Sequence, residues 1–401
     1  MHRRRSFPVF ATAMQAPRVG SVKPHRLRAR FDDLRAGVAV VFPEVAHVLV
    51  ARRPSDVAPV LADLERAVAG GRWAFGFVSY EAAAGFGLPV ADPVPGLPLA
   101  WFGVCAAPRR VPVISAGPAA RRNDHRTVWR PEWTAEVHRE RVEAVRARIA
   151  TGDTYQTNLT TRLRTEFAGD PAALYADLAL AQRGAYNAYL DLGRYSIASA
   201  SPELFFDLRD RELLMRPMKG TAPRGATPAE DAANVRRLRT SEKERAENVM
   251  IVDLVRNDVS RVAETGSIRV TSLCAPERYD TLHTLTSDVR ARLRPGTGMP
   301  EVFGALFPCG SVTGAPKERT MELITAVEDG PRGVYCGAVG VVAPGGRARF
   351  NVAIRTAVVD RDTATAVYGS GGGITWGSQP SAEYAELLVK AAVLGSIAGA
   401  R

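Results

Sequence analysis

The sequence predicts an α+β fold, and three observations carry that expectation. Short apolar runs follow one another in hairpin-like succession, bounded by turn residues. Long helical patterns come after them instead of alternating with them, so the βαβ rhythm of a doubly wound sheet is missing. Neither a phosphate-loop nor a dinucleotide glycine fingerprint occurs, because Gly314-Ala315-Pro316-Lys317 lacks the required spacing.

Taken in order, residues 1–25 read as a flexible basic arm whose apolar part, broken by Pro8, Gln15 and Pro17, is too short for an export signal. Residues 36–50 read as one strand. Residues 55–69 read as a helix that starts at Ser55 and stops at Gly70-Gly71. Strands follow at 72–80 and 100–104, and the Pro-, Arg- and Ala-rich stretch 108–131 reads as a connecting loop. A helix at 134–151 carries apolar residues at 137, 142, 145 and 149 and ends at Gly152. Residues 155–163, 196–208 and 213–218 read as strands. The longest helix covers 240–263, with a strand at 267–270 behind it. The tail reads as strands at 333–342, 347–359 and 364–368, then a helix at 381–397 capped by Ser381.

Composition narrows the function. The chain has 401 residues, 46% hydrophobic and 24% charged, which are the proportions of a soluble globular protein. Four cysteines, Cys105, Cys274, Cys309 and Cys336, are scattered without a CxxC, which argues against a disulfide scaffold or zinc site and fits the cytoplasm. The longest uncharged stretch, 93–108, is interrupted by Pro95 and Pro98 and falls short of the ~18–20 residues of a membrane span. The net charge of +11 raises nucleic-acid binding as a competing reading. The arginine clusters at 121–130, 236–239 and 290–294 alternate with acids or lie on solvated faces, and no aromatic RNA-binding signature accompanies them. The expectation is therefore no nucleic acid, with a basic surface that speeds capture of an anionic small molecule.

Lysine usage is the sharpest signal. Of 53 Lys+Arg only five are lysine: Lys23, Lys219, Lys243, Lys317 and Lys390. A position that keeps lysine in so arginine-rich a chain points to a need for a compact amine that can lose its proton. Lys219 sits in the stiff, turn-prone segment Arg216-Pro217-Met218-Lys219-Gly220-Thr221. Carboxylates supply a second signal. Glu244 and Glu247 are i, i+3 on the long helix, and Glu383 and Glu386 repeat that spacing on the last one, with Lys390 a turn beyond. Two such pairs suit a hard divalent cation such as Mg²⁺, or they are two solvated faces. Gly369-Ser370-Gly371-Gly372-Gly373 reads either as a mobile loop or as backbone N–H groups for a carboxylate.

These segments, together with Glu247-Asn248 through Asp258, Gly310-Ser311 through Lys317, and Ile354-Arg355-Thr356, resemble the chorismate-utilising enzymes over about residues 130–395. The resemblance implies two antiparallel β-sheets packed as a sandwich, helices outside, and an active site in the cleft. It makes residues 26–125 the variable N-terminal region and 126–401 the chorismate-binding catalytic region. Lys219 and Asn158 match the aminodeoxychorismate branch. Anthranilate synthases usually carry Ala where Lys219 stands, and the isochorismate branch places a lysine at the position of Gln156. That branch aminates chorismate at C4; the anthranilate branch is the alternative. By resemblance Glu247 and Glu386 bind Mg²⁺ with Glu244 and Glu383 beside them. Arg355, Lys390, Tyr335, Ser311 and the N–H groups of Gly369 and Gly371 hold the substrate. Glu203 is the general acid, Lys219 the nucleophile, and Asn158, Thr221 and His283 line the reacting ring. Ammonia is expected from a glutamine amidotransferase partner, since none of the four cysteines lies on the Gly-x-Cys-x-Gly turn of a glutaminase.

Overall fold

The computed structural model describes residues 29–42, 44–115, 127–279 and 282–398; the basic arm 1–25 lies outside them. The first sheet runs Ser396–Ile397, Val128–Pro131, Gln156–Glu166, Thr365–Ile374, Thr356–Asp360, Tyr195–Ser201, Tyr186–Asp191, Ala29–Asp33, Val38–Phe42, Arg109–Val111. The second runs Met218–Pro223, Leu282–Arg292, Glu212–Arg216, Leu204–Arg209, Arg347–Val352, Ala338–Ala343, Trp73–Val78, Ala100–Cys105, Val45–Ala51. Among the described strands every pairing is antiparallel except Ser396–Ile397 against Val128–Pro131.

The sheets pack face to face. Phe42, Leu190 and Ile197 of the first meet Phe75, Phe77 and Val341 of the second in one buried cluster. Helices cover the outer faces. Val57–Ala69 buries Val57, Val60, Leu61, Leu64 and Val68 against the second sheet, a stripe at the helical period. Pro171–Gln182 packs on the first sheet through Leu174 and Leu178, and Ala135–Ala150 does so through Val142 and Val145. The α+β sandwich is as expected, and residues before and after 125 contribute strands to both sheets.

Three stretches read as single strands are each two. Residues 36–50 divide into Val38–Phe42 and Val45–Ala51, which belong to different sheets. Residues 196–208 divide at Pro202-Glu203, and 347–359 divide at Ala353-Ile354-Arg355, where Arg355 takes φ 52. In all three cases the chain steps from one sheet to the other, which a run of apolar residues does not reveal. Helices Pro171–Gln182, Pro228–Thr240, Met299–Leu306 and Lys317–Val327 were not expected from the pattern. The long helix is Glu242–Ser260, and its N-cap Ser241 accepts from the Glu244 N–H. The last helix, Pro380–Ala391, begins one residue before Ser381 with Gln379 at its N-cap, since proline fits the first helical position. The presumed connecting loop carries edge strands at Arg109–Val111 and Val128–Pro131.

Candidate active site

A cavity of about 250 Å³ opens where the glycine strand of the first sheet, the Met218–Pro223 edge of the second, and helices Glu242–Ser260 and Pro380–Ala391 come together. Two of the sheet-to-sheet steps end in it, and they deliver Glu203 and Arg355 to its wall. Asn158, Ser311, Tyr335, Lys219 and Thr221 line it as well, as do Gly369, Gly371, Glu244, Glu247, Glu383, Glu386 and Lys390. His283 does not. Successive strand residues face opposite ways, so Leu282 and Thr284 line the cavity while the His283 ring is buried with Nε2 2.8 Å from Asp231 Oδ1.

Half-buried Lys219 and buried Glu203 form a corner of opposite tendencies. Burial pulls the Lys219 amine below the ordinary lysine value; Glu247 opposes this and Lys390 adds to it. Its Nζ reaches Ser311 O at 3.4 Å. Glu203 is 3% exposed, and burial pushes its carboxyl up to about 7, held back in part by the Ser311 hydroxyl and Lys219. Its Oε1 has no hydrogen-bond partner in the protein. An amine drawn below its ordinary value and an acid raised above its own therefore stand in one corner, each shifted toward its uncharged form.

The glycine-rich stretch is a strand. Residues Gly369 to Gly373 pair along one edge with Arg162 to Asn158. The strand on the other edge, Thr356–Asp360, pairs no further than Tyr368. Among the described strands none covers that edge from Gly369 on, so backbone groups there face the cavity. A Cβ at Gly369 would lie 2.2 Å from the Tyr335 ring, which shows how tightly the ring sits over the backbone. Lys390 donates to Gly371 O at 2.8 Å and pairs with Glu386 at 2.8 Å. The Arg355 guanidinium donates to Lys390 O, which ties the sheet step to the last helix.

The four glutamates face one another across the cavity from two helices. Burial raises the carboxyls of Glu244, Glu247 and Glu383 above the ordinary value, and the nearby charge of Glu386 adds to each. For Glu386 burial works in the same upward sense, yet Lys390 carries it below the ordinary value. An all-carboxylate donor set fits a hard cation that shares its coordination with water and an anionic ligand. Among the described residues no group of three or more His, Cys, Asp or Glu side chains is placed to hold a metal ion by itself, so a cation here would take few protein ligands and complete its shell with water and an anionic ligand.

Other residues at the cavity were not singled out. Tyr279 lines it, with its hydroxyl 3.3 Å from Pro202 O and the Arg35 guanidinium 5.0 Å from its ring centre. Tyr368, Thr284 and Lys243 line it too, and Lys243 lies 4.0 Å from Glu247. Lysine scarcity pointed at Lys243; nothing local marked the other three. Lys317 serves elsewhere, in a buried pair with Asp258 at 2.6 Å that joins two helices.

A profile of chorismate binding enzymes matches residues 39–396. An aminodeoxychorismate synthase of Streptomyces pristinaespiralis is 45% identical over 255 residues, 63% of this chain and 35% of that protein. Aminodeoxychorismate synthase component 1 of Klebsiella aerogenes is 39% identical over 269 residues, 66% of this chain and 58% of that one. Anthranilate synthase component 1 of Aquifex aeolicus is 40% identical over 267 residues, 66% and 53% of the two chains. This chain thus spans 35% to 58% of the length of these relatives. Among solved structures, anthranilate synthase component I of Streptococcus pneumoniae superposes with a TM-score of 0.73 at 26% identity, covering 96% of this chain and 95% of that one. The menaquinone-specific isochorismate synthase of Escherichia coli shares the fold at 17% identity, with a TM-score of 0.70 over 93% of this chain and 88% of that one. With a matching profile over nearly its whole length and a cavity built from the motifs that suggested it, the chain belongs to the chorismate binding enzyme family.

Proposed function

We propose that this protein is the chorismate-aminating component of an aminodeoxychorismate synthase, a transaminase-class enzyme that converts chorismate and ammonia to 4-amino-4-deoxychorismate. The observation that carries the reading is Lys219: a half-buried amine, drawn below its ordinary pKa, in one cavity with the raised carboxyl of Glu203. The names of the relatives from Streptomyces pristinaespiralis and Klebsiella aerogenes support it.

The neutral Lys219 amine attacks C2 of the ring, the double bonds shift, and the C4 hydroxyl leaves as water with the proton of Glu203. Ammonia then forms the bond at C4 while the C2–N bond to Lys219 breaks, and the proton shed by the incoming nitrogen returns to Glu203. Two displacements in succession retain configuration at C4. Arg355 and Lys390 pair with substrate carboxylates, Arg355 through its planar fork and Lys390 as a point charge. Asn158 and Thr221 flank the ring. Glu247 and Glu386, with Glu244 and Glu383 beside them, would hold Mg²⁺, which supplies positive charge for the ring carboxylate. Ammonia comes from a separate glutamine amidotransferase subunit.

The test supplies purified protein with chorismate, Mg²⁺ and an ammonium salt at alkaline pH, and resolves products by mass and fluorescence. A product that yields para-aminobenzoate only after a lyase is added supports the proposal. Direct formation of anthranilate replaces it with the anthranilate reading. No product of either kind overturns both. Recovery of a glutaminase subunit with the protein, and glutamine-driven turnover that depends on it, tests the partner; glutamine-driven turnover by this chain alone overturns it.

A further inference from the structure

The Lys219 amine has to be aimed as well as neutral, and the strand that carries it is irregular there. Met218 and Lys219 pair with Thr286 and Leu285; the register then slips by one, so that Thr221 stands opposite Thr284 and Gly220 has no partner on that strand. Gly220 takes φ +81, and a Cβ there would lie 2.6 Å from Glu244 Oε2. The positive φ favours glycine here, and any side chain added would also push the Glu244 carboxylate aside. A bulge of this kind re-aims the side chain next to it.

Thr284 holds that bulge. It is 0% exposed, it borders the cavity, and its hydroxyl donates to Gly220 O at 2.8 Å. The residues on either side are already fixed: His283 by Asp231, and Leu285 in a buried cluster with Ala222 and Leu238. We infer that Thr284 is a positioning residue for Lys219, its hydroxyl pinning the Gly220 bulge so that the amine extends into the cavity. The inference deepens the amination reading and rests on it for its effect on turnover. A hydroxyl has one hydrogen to donate. Here it goes to the backbone of this chain, so Thr284 acts through Lys219 and donates nothing to substrate.

Thr284→Val keeps the shape and removes the hydroxyl, and Thr284→Ser keeps the hydroxyl and removes the methyl. The expected result is a kcat for Thr284→Val reduced by about tenfold to a hundredfold, the scale of a misplaced reacting group, with KM for chorismate unchanged. Thr284→Ser recovers most of that kcat. A second readout needs no turnover: carbamoylation of Lys219 by cyanate, followed by peptide mass, should be slower in Thr284→Val than in the wild type and restored in Thr284→Ser. Wild-type kcat and labelling in Thr284→Val overturn the inference, as does a Ser variant as impaired as the Val one. If the wild-type protein aminates nothing, the amination reading fails by itself and the cyanate comparison still decides the aim. If Thr284→Val does not fold, Thr284→Ser and Thr284→Ala are compared in its place, and equal labelling in those two rejects the role.

Discussion

The two ends of the cavity are built on opposite principles. At the Lys219–Glu203 end burial does the tuning: it lowers an amine and raises an acid, and Ser311 touches both. At the glutamate end four acids crowd together with Lys243 and Lys390 among them, and among the described residues no group of three or more is placed to hold a metal ion by itself. The first end leaves one polar atom over, since Glu203 Oε1 has no hydrogen-bond partner in the protein. The other holds surplus negative charge that a cation and an anionic ligand would balance. On the proposed reading the first end is preorganised by the chain, while the second would be completed by what binds there.

The comparison breaks first at Lys219. Lys219→Arg keeps the charge and removes the deprotonatable amine, so it should lose turnover as severely as Lys219→Ala, on the order of a thousandfold. Wild-type protein given chorismate without ammonia should carry an adduct of chorismate minus water on the Lys219 peptide. An active Lys219→Arg with no adduct would reduce Lys219 to a charge. At the other end Glu247→Gln and Glu386→Gln should leave the fold intact by circular dichroism while turnover at limiting Mg²⁺ falls to background. Wild-type activity there removes that residue from the metal site.

The smallest effect separates two acids of similar titration. Burial pushes Glu81, like Glu203, up to about 7, but Glu81 is structural and accepts the backbone N–H of Arg332 at 2.6 Å and of Gly333 at 3.0 Å. From about pH 4.5 to 7 the unfolded chain has released these protons while the folded one still holds them. Stability is therefore full at the acid end of that window and falls as pH rises through it. Glu81→Gln and Glu203→Gln should each flatten the loss of Tm on going from about pH 5 to pH 8, by a few degrees at roughly 1–1.5 °C per kcal/mol for a chain of this length. Only Glu203→Gln should also cost turnover, by about 10²–10⁴-fold. An equal loss of turnover in Glu81→Gln would erase the distinction.

Much of the site was legible because its chemistry is local. Lys219 and the paired glutamates each stand out within a few residues, whereas Ser311, Glu203, Asn158 and Arg355 entered only through the resemblance to the family. What stayed hidden depends on facing and on partners distant in sequence. His283 and Thr284 are neighbours, yet strand alternation sends only Thr284 to the cavity, and nothing in the surrounding sequence sets that phase. The breaks at Pro202-Glu203 and at Arg355 were passed over for a similar reason, since polar residues interrupt the apolar runs there but an interruption does not say that the chain changes sheets. The glycine run was ambiguous because its order comes from a ladder with Gln156–Glu166, about 200 residues earlier in the chain.

The open edge of the glycine strand has a consequence for solubility and ligand choice. A row of unpaired backbone groups on an outer strand invites another chain to add itself, and proteins usually blunt such edges with charge or proline. Here the edge from Gly369 to Gly373 faces a cavity of about 250 Å³ walled by Tyr335 and the last helix. Lys390 donates to Gly371 O and the Tyr335 ring lies against Gly369, so the chain's own side chains occupy part of this edge and an added polypeptide strand would have to displace them. A charge and an aromatic ring thus blunt the aggregation hazard and leave the remaining backbone groups facing a ligand-sized space.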